Sequence, residues 1–217
     1  MFYSLFQLFK DFDLPGARLM EYITFRSGCA FVLALIIAIF VGRRIIDRLQ
    51  KMQIGEIIRD LDLEGQEKKK GTPTMGGVII ILSILVPCLL VGNLTNVYMI
   101  LMLVATLWLG TIGFLDDYEK LRKKQNLGLS AKSKFLLQLV AALAFVFLMR
   151  RTGYVTTNLY IPFWNVVKPL PEAVYFIFAA FVIVGTVNSV NLTDGVDGLA
   201  AGTSIPVCLF FAVLTYV

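Results

Sequence analysis

Two pairs of carboxylates stand out in an otherwise apolar chain: Asp116 and Asp117 in IGFLDDYEK (112–120), and Asp194 and Asp197 in VNSVNLTDGVDGLA (187–200). Stability alone would choose neither. The first pair follows the uncharged run 71–115 and is predicted at the C-terminal end of a helix. That end carries partial negative charge, and adjacent carboxylates repel each other. A divalent cation relieves both problems, and Mg²⁺ typically takes one or two carboxylates together with substrate phosphates. The second pair is spaced by three. On a helix the two acids share a face; in a turn, Gly195 and Gly198 permit tight geometry. Asn188 and Asn191 add amides able to read a polar ligand.

A third stretch, KKKGTPTMGG (68–77), sets Lys70 before Gly71, Thr72, Pro73, Thr74, Gly76 and Gly77. Glycines let backbone N–H groups approach a ligand, and a lysine supplies a point charge for phosphate. The order differs from the P-loop, where Lys follows the glycines. Lys132 and Lys134, with Gln138 one turn on, are placed to meet phosphate or anionic headgroups. Taken singly, each stretch also reads as something plainer: a linker, a hydrated helix end, solvated loop acids.

The elements that must position these residues are membrane spans. The chain is 58% hydrophobic and 16% charged, against about 25% charged in soluble domains. A span takes about 20 apolar residues, fewer where Lys or Arg snorkel. Six are predicted, at 25–43, 75–91, 97–115, 133–150, 172–190 and 199–217. The chain is thus expected to be an all-α polytopic integral membrane protein, one transmembrane domain over 1–217. Phe2, Leu5, Phe6 and Phe9 suggest a short interfacial helix ended by Pro15-Gly16, and the start lacks the basic region of a cleaved signal. YVTTNLYIPF (154–163) reads as a short hairpin on the outer face. Cys29, Cys88 and Cys208 lie in separate spans and read as small buried residues. The absence of histidine excludes any His ligand or base within this sequence.

Lys and Arg decide orientation. Fourteen of the 20 fall in 43–74 and 116–134. These segments are expected in the cytoplasm, with the N-terminus outside and 191–198 cytoplasmic by alternation. The net charge of +5 is then a positive-inside signature and implies no nucleic-acid partner. All three motifs share one membrane face. Carboxylates, lysines and glycine bends at headgroup level suit a polyanionic substrate, bound Mg²⁺ and a second substrate dissolved in lipid, which points to phosphoryl transfer.

KKKGTPTMGG, GFLDDY and VNLTDGVDGLA closely resemble, in order and membrane placement, the motifs of the phospho-N-acetylmuramoyl-pentapeptide transferases. These belong to the polyprenyl-phosphate N-acetylhexosamine-1-phosphate transferase superfamily, and the resemblance covers nearly the whole chain. It implies a Mg²⁺-dependent enzyme of the bacterial inner (cytoplasmic) membrane. Such an enzyme moves phospho-MurNAc-pentapeptide from UDP-MurNAc-pentapeptide to undecaprenyl phosphate, giving lipid I and UMP in peptidoglycan synthesis. Position by position it implies Asp116 and Asp117 as the catalytic and metal-binding pair. It implies Lys70, Thr74, Asn191, Asp194, Gly195 and Asp197 on the nucleotide side, and Lys120 and Lys132 as basic residues of the site. A homodimer is also implied.

The family fold has roughly ten spans of about 20 residues each, with a further aspartate and a histidine-rich motif in its second half. This chain stops inside the sixth predicted span and has no histidine, so it reads as the N-terminal part with the C-terminal part absent. Two other readings compete. A sibling would use UDP-N-acetylglucosamine as donor. A non-enzymatic cation-binding transporter would instead place ionisable groups inside the spans, which are nearly free of them. Nucleophilic attack by an aspartate, base catalysis, and metal binding during direct attack by the lipid phosphate are all open to the Asp116–Asp117 pair.

Overall fold

Apolar runs set the helices, and charged residues extend several of them past the ends that hydropathy alone would give. The computed structural model describes residues 17–51, 75–123, 128–153, 155–161, 163–195 and 198–216. After a 3₁₀ turn at Ala17–Glu21 comes α1, Ile23–Lys51, with a π turn at Ile37–Val41. There follow α2 (Gly77–Val91), α3 (Val97–Lys123) and α4 (Ala131–Arg151). The strands β1 (Asn158–Ile161) and β2 (Val166–Pro169) precede α5 (Glu172–Thr193) and α6 (Leu199–Tyr216). Five of these helices are long and apolar enough to cross a membrane. The chain is an all-α polytopic membrane protein with one small sheet. The remaining predicted span is the exception. α2 has 15 residues, about 22 Å at 1.5 Å per residue, short of the ~30 Å hydrocarbon core.

The expected interfacial helix at Phe2–Phe9, the loop residues Lys70 and Thr74, and Asp197 lie outside the described residues.

The described residues fall into two compact units divided between Leu137 and Gln138. In the first, α1 packs on α2 and α2 on α3. Between helices in lipid there is little hydrophobic driving force, so close approach at small residues carries the packing. Gly42 is buried, and a Cβ there would lie 3.0 Å from Ile79 Cγ2. A Cβ at Gly110 would lie 2.5 Å from Ile81 Cδ1. Large side chains such as Phe40, Ile84 and Leu107 are left exposed, as lipid-facing residues should be.

The second unit repeats the device. Ala142 of α4 meets Ala180 and Val184 of α5, flanked by Leu139 and Ile183. Beside them Asn188 Nδ2 donates to Gln138 Oε1 at 2.7 Å and to the Val184 carbonyl at 2.8 Å. An amide pair satisfied between helices removes two polar groups from lipid.

The hairpin overlaps its predicted segment but extends beyond it. β1 lies within 154–163, while β2 lies past it, across a turn in which Asn165 takes φ 51°. Asn tolerates that left-handed conformation through local hydrogen bonding; here its Oδ1 accepts from Tyr160 Oη at 2.8 Å. The antiparallel register pairs Tyr160 with Val167 and Ile161 with Val166.

Candidate functional site

The acidic pair is not at a helix terminus, as the end of the apolar run at Leu115 suggested. α3 continues to Lys123, so Asp116 and Asp117 sit within it. Spacing explains the extension. Lys120 is one turn on from both acids, with Nζ 3.0 Å from Asp116 Oδ2 and 2.9 Å from Asp117 Oδ1. Lys123 Nζ is 2.7 Å from Glu119 Oε2. Acid-before-lysine pairs at these spacings support a helix where hydrophobic burial no longer does.

Asp116 is 8% exposed, a degree of burial that carboxylates seldom show unpaired. Its partners come from three places. Besides Lys120, Lys134 in the first turn of α4 brings Nζ to 2.8 Å from Oδ1. The Leu129 backbone N–H donates to the same oxygen at 2.8 Å. Local sequence explains the arrangement. Gly128 passes so close that a Cβ would collide with Asp116 Oδ1 and with the Asp116 carbonyl oxygen. Ser130 then caps α4, its Oγ accepting from the Ser133 N–H at 3.1 Å. A lysine in a first helical turn opposes the helix dipole; at Lys134 the Asp116 carboxylate offsets this.

Asp117 is more open. Its side chain is 33% exposed, and Oδ1 meets Lys120 while no described residue donates to Oδ2. Lys132 is exposed and forms no ion pair among the described residues. The chemistry of these donors bears directly on the implied Mg²⁺. Both Asp116 oxygens are engaged by lysines or a backbone N–H, and no cluster of three acidic or sulfur ligands occurs among the described residues. Asp117, with one uncommitted oxygen, fits a cation that draws its other ligands from substrate phosphates.

In the second unit, Asn191 lies in the last turn of α5 and is exposed. Asp194 caps that helix, its N–H donating to the Val190 carbonyl at 3.1 Å. The Gly195 N–H donates to Leu192 at 3.3 Å, and Gly198 takes φ 79°. Asp194 and Gly195 therefore leave the helix in a turn, and Gly198, just before α6, takes a left-handed conformation that glycine permits. Asn188, read as a ligand-facing amide, instead spends its Nδ2 donors inside the helix pair.

At the entry to α2 the left-handed residue is not a glycine. Gly76 is helical, whereas Met75 takes φ 71° with its side chain buried. Such a conformation is uncommon for a residue with a Cβ.

Sequence reasoning missed the grip on Asp116. From the sequence Lys134 reads only as a phosphate or headgroup contact, and Gly128 and the Leu129 N–H carry no mark of their role. The signal available was GLSAKSK, a glycine, a cap and a lysine that needs a counter-charge.

Comparison with known proteins identifies the family. A family model described as glycosyl transferase family 4 matches residues 99–217, which contain both acidic pairs. The phospho-N-acetylmuramoyl-pentapeptide-transferase signature 1 matches residues 69–81, which contain Lys70 and Thr74. Among curated relatives, the phospho-N-acetylmuramoyl-pentapeptide-transferase of Parabacteroides distasonis is 40% identical over 256 residues, covering 100% of this chain and 61% of its own. The same-named protein of Porphyromonas gingivalis is 42% identical, with 100% and 61% covered. That of Oleidesulfovibrio alaskensis is 44% identical over 206 residues, with 94% and 57% covered. The chain thus spans about 60% of the length of the curated relatives it matches. With the family model running over more than half of its residues, the chain belongs to glycosyl transferase family 4.

Proposed function

We propose that the whole protein transfers phospho-MurNAc-pentapeptide from UDP-MurNAc-pentapeptide to undecaprenyl phosphate, giving lipid I and UMP. The observation that carries this reading is the buried Asp116, held by Lys120 and Lys134 beside the more open Asp117, at the polar end of an apolar helix. Two ammoniums gathered there suit a substrate that brings phosphates. In the transfer, an oxygen of the lipid phosphate attacks the sugar-linked phosphorus. The bond from that phosphorus to the bridging oxygen breaks, and UMP leaves with that oxygen. Charge spreads over the phosphoryl oxygens, and positioned cations stabilise it.

In this reading Lys120 and Lys134 exchange part of their hold on Asp116 for phosphate oxygens, with Lys132 adding charge from the same helical start. Asp116 and Asp117 form the catalytic pair. Asp117 is the residue that would hold Mg²⁺, which when bound supplies charge neutralisation on the phosphates. Lys70, Thr74, Asn191, Asp194, Gly195 and Asp197 bind the nucleotide-sugar side. The basic segments face the cytoplasm of a bacterial inner membrane, with the N-terminus outside.

The test is a donor comparison with the full-length protein in vesicles. UDP-MurNAc-pentapeptide and UDP-N-acetylglucosamine are each offered with undecaprenyl phosphate. Lipid I and UMP from the first donor alone are expected. Turnover of UDP-N-acetylglucosamine alone would move the protein to the sibling activity, and turnover of neither would remove the enzymatic reading.

A further inference from the structure

The hairpin between α4 and α5 presents apolar surface that no other described residue covers. Phe163 and Trp164 in the turn are 95% and 75% exposed. On the strands, Tyr160 and Val167 face each other in register and are also exposed. Contiguous apolar surface of this kind marks a contact with something other than water.

Its roots fix where that contact is. Arg150, in the last turn of α4, donates from Nη1 to the Val155 carbonyl at 2.7 Å, and its Nη2 lies 3.5 Å from Glu172 Oε1 in the first turn of α5. The Leu170 N–H donates to the Thr157 carbonyl at 3.0 Å, extending the ladder toward α5. Both helices are membrane spans, so the base of the hairpin sits where spans leave the hydrocarbon. Arg151 lies over the Phe147 ring at 5.2 Å, an arrangement suited to an arginine reaching from lipid toward the headgroups. Lys168 on β2, paired with Leu159, lies on the opposite face of the ribbon from Tyr160 and Val167, so the face those two share carries no charge from it.

We propose that the hairpin is a membrane-surface anchor. It lies against the bilayer, with Trp164 and Phe163 in the headgroup–acyl boundary and Tyr160 and Val167 on the lipid side. Four-residue strands reach about 14 Å, and the headgroup layer is only about 5–8 Å deep on each side. An upright hairpin would therefore carry its aromatic tip into water. Trp and Tyr prefer the interface because one end of each ring is apolar and the other can hydrogen-bond. A two-stranded ribbon is marginal alone, and the arginine tie together with the lipid contact supplies what the ribbon lacks.

The full-length protein in nanodiscs tests this by tryptophan quenching. The emission difference between wild type and Trp164→Phe isolates Trp164, whatever other tryptophans are present. Trp108, partly exposed on α3, isolated likewise by Trp108→Phe, is the reference within a span. Lipids brominated near the top of the acyl chain should quench Trp164 more strongly than lipids brominated near the methyl end, and aqueous iodide should quench it weakly. Strong iodide quenching without bromine quenching puts the tip in water and overturns the proposal. Protection from both puts a protein, or a second copy of this chain, on the patch and also overturns it. Deep-bromine quenching equal to that of Trp108 places the tip in the bilayer core and overturns the interfacial assignment.

Discussion

Asp116 and Asp194 both follow the apolar run of a helix, Asp116 still inside α3 and Asp194 at the end of α5, yet the chain treats them in opposite ways. Asp116 is buried, with two ammoniums and a backbone N–H fixed on its oxygens. Asp194 is exposed in a turn, and its backbone N–H makes the cap. One carboxylate is committed before any ligand arrives, whereas the other has its side chain open. A committed carboxylate organises the cations around it. An open one is available to accept hydrogen bonds from a ligand. The contrast separates residues that hold a site together from residues that read what enters it.

The largest expected effect is on the committed side. In the full-length protein, Asp116→Asn and Asp117→Asn should each lower turnover by about 10²–10⁴, the usual range for losing a positioned acid–base group. Stability should divide them. Asp116→Asn takes from Lys134 its counter-charge and leaves Lys120 with Asp117 alone, a loss on the order of 2 kcal/mol for charge-assisted hydrogen bonds. Asp117→Asn touches a half-exposed group and should cost under about 1 kcal/mol. Thermal unfolding in detergent beside a lipid I assay separates the two outcomes. Equal unfolding temperatures for the two variants would mean that Asp116 organises nothing.

The next effect is steric and compares two glycines. A Cβ at Gly128 collides with Asp116 Oδ1 and the Asp116 carbonyl, so Gly128→Ala must push the Leu129 segment off the carboxylate. Overpacking of this kind costs about 1–3 kcal/mol. Among the described residues a Cβ at Gly195 meets only the Leu192 carbonyl, at 3.3 Å, and Gly195→Ala should stay within about 0.5 kcal/mol of wild type. Denaturant unfolding of the two variants measures the difference. A Gly195→Ala loss as large as that of Gly128→Ala would erase the distinction between the two regions.

What the sequence made legible follows the same division. Uncharged runs placed the helices, because in lipid every backbone group must be satisfied within its own segment. Their ends were less legible. α3 passes the last apolar residue because Asp116, Asp117 and Glu119 find lysines one turn on, an energy that hydropathy does not register. The hairpin's second strand was missed because the turn runs through Trp164 and Asn165 rather than ending at Phe163. The acid pairs were visible from their types. The partner of Asp116 was not, because Lys134 is eighteen positions away and nothing in one sequence fixes that distance in space. The positive φ at Met75 rather than Gly76 was hidden for a similar reason: glycine permits the conformation, but packing decides where it falls.

The smallest effect belongs to the open acid, and it is the one that most sharpens the comparison. Asp194→Asn removes a charge from an exposed turn and should leave the unfolding midpoint unchanged within about 0.5 kcal/mol. Its consequence should appear only when ligand is present. If Asp194 accepts hydrogen bonds from the uracil or sugar of a nucleotide-sugar, losing the charged acceptor costs roughly 1.5 kcal/mol, close to a tenfold weaker Kd. The Mg²⁺ requirement should not move, because the proposed metal ligand is Asp117. Titrating UDP-MurNAc-pentapeptide into the full-length variant at several Mg²⁺ concentrations reads both quantities together. A weaker Kd at constant Mg²⁺ dependence places Asp194 with the residues that read the ligand. A shifted Mg²⁺ dependence with unchanged Kd would assign it to the metal instead. An unchanged Kd together with a destabilised protein would make it a second structural acid, and the contrast between the two carboxylates would fail.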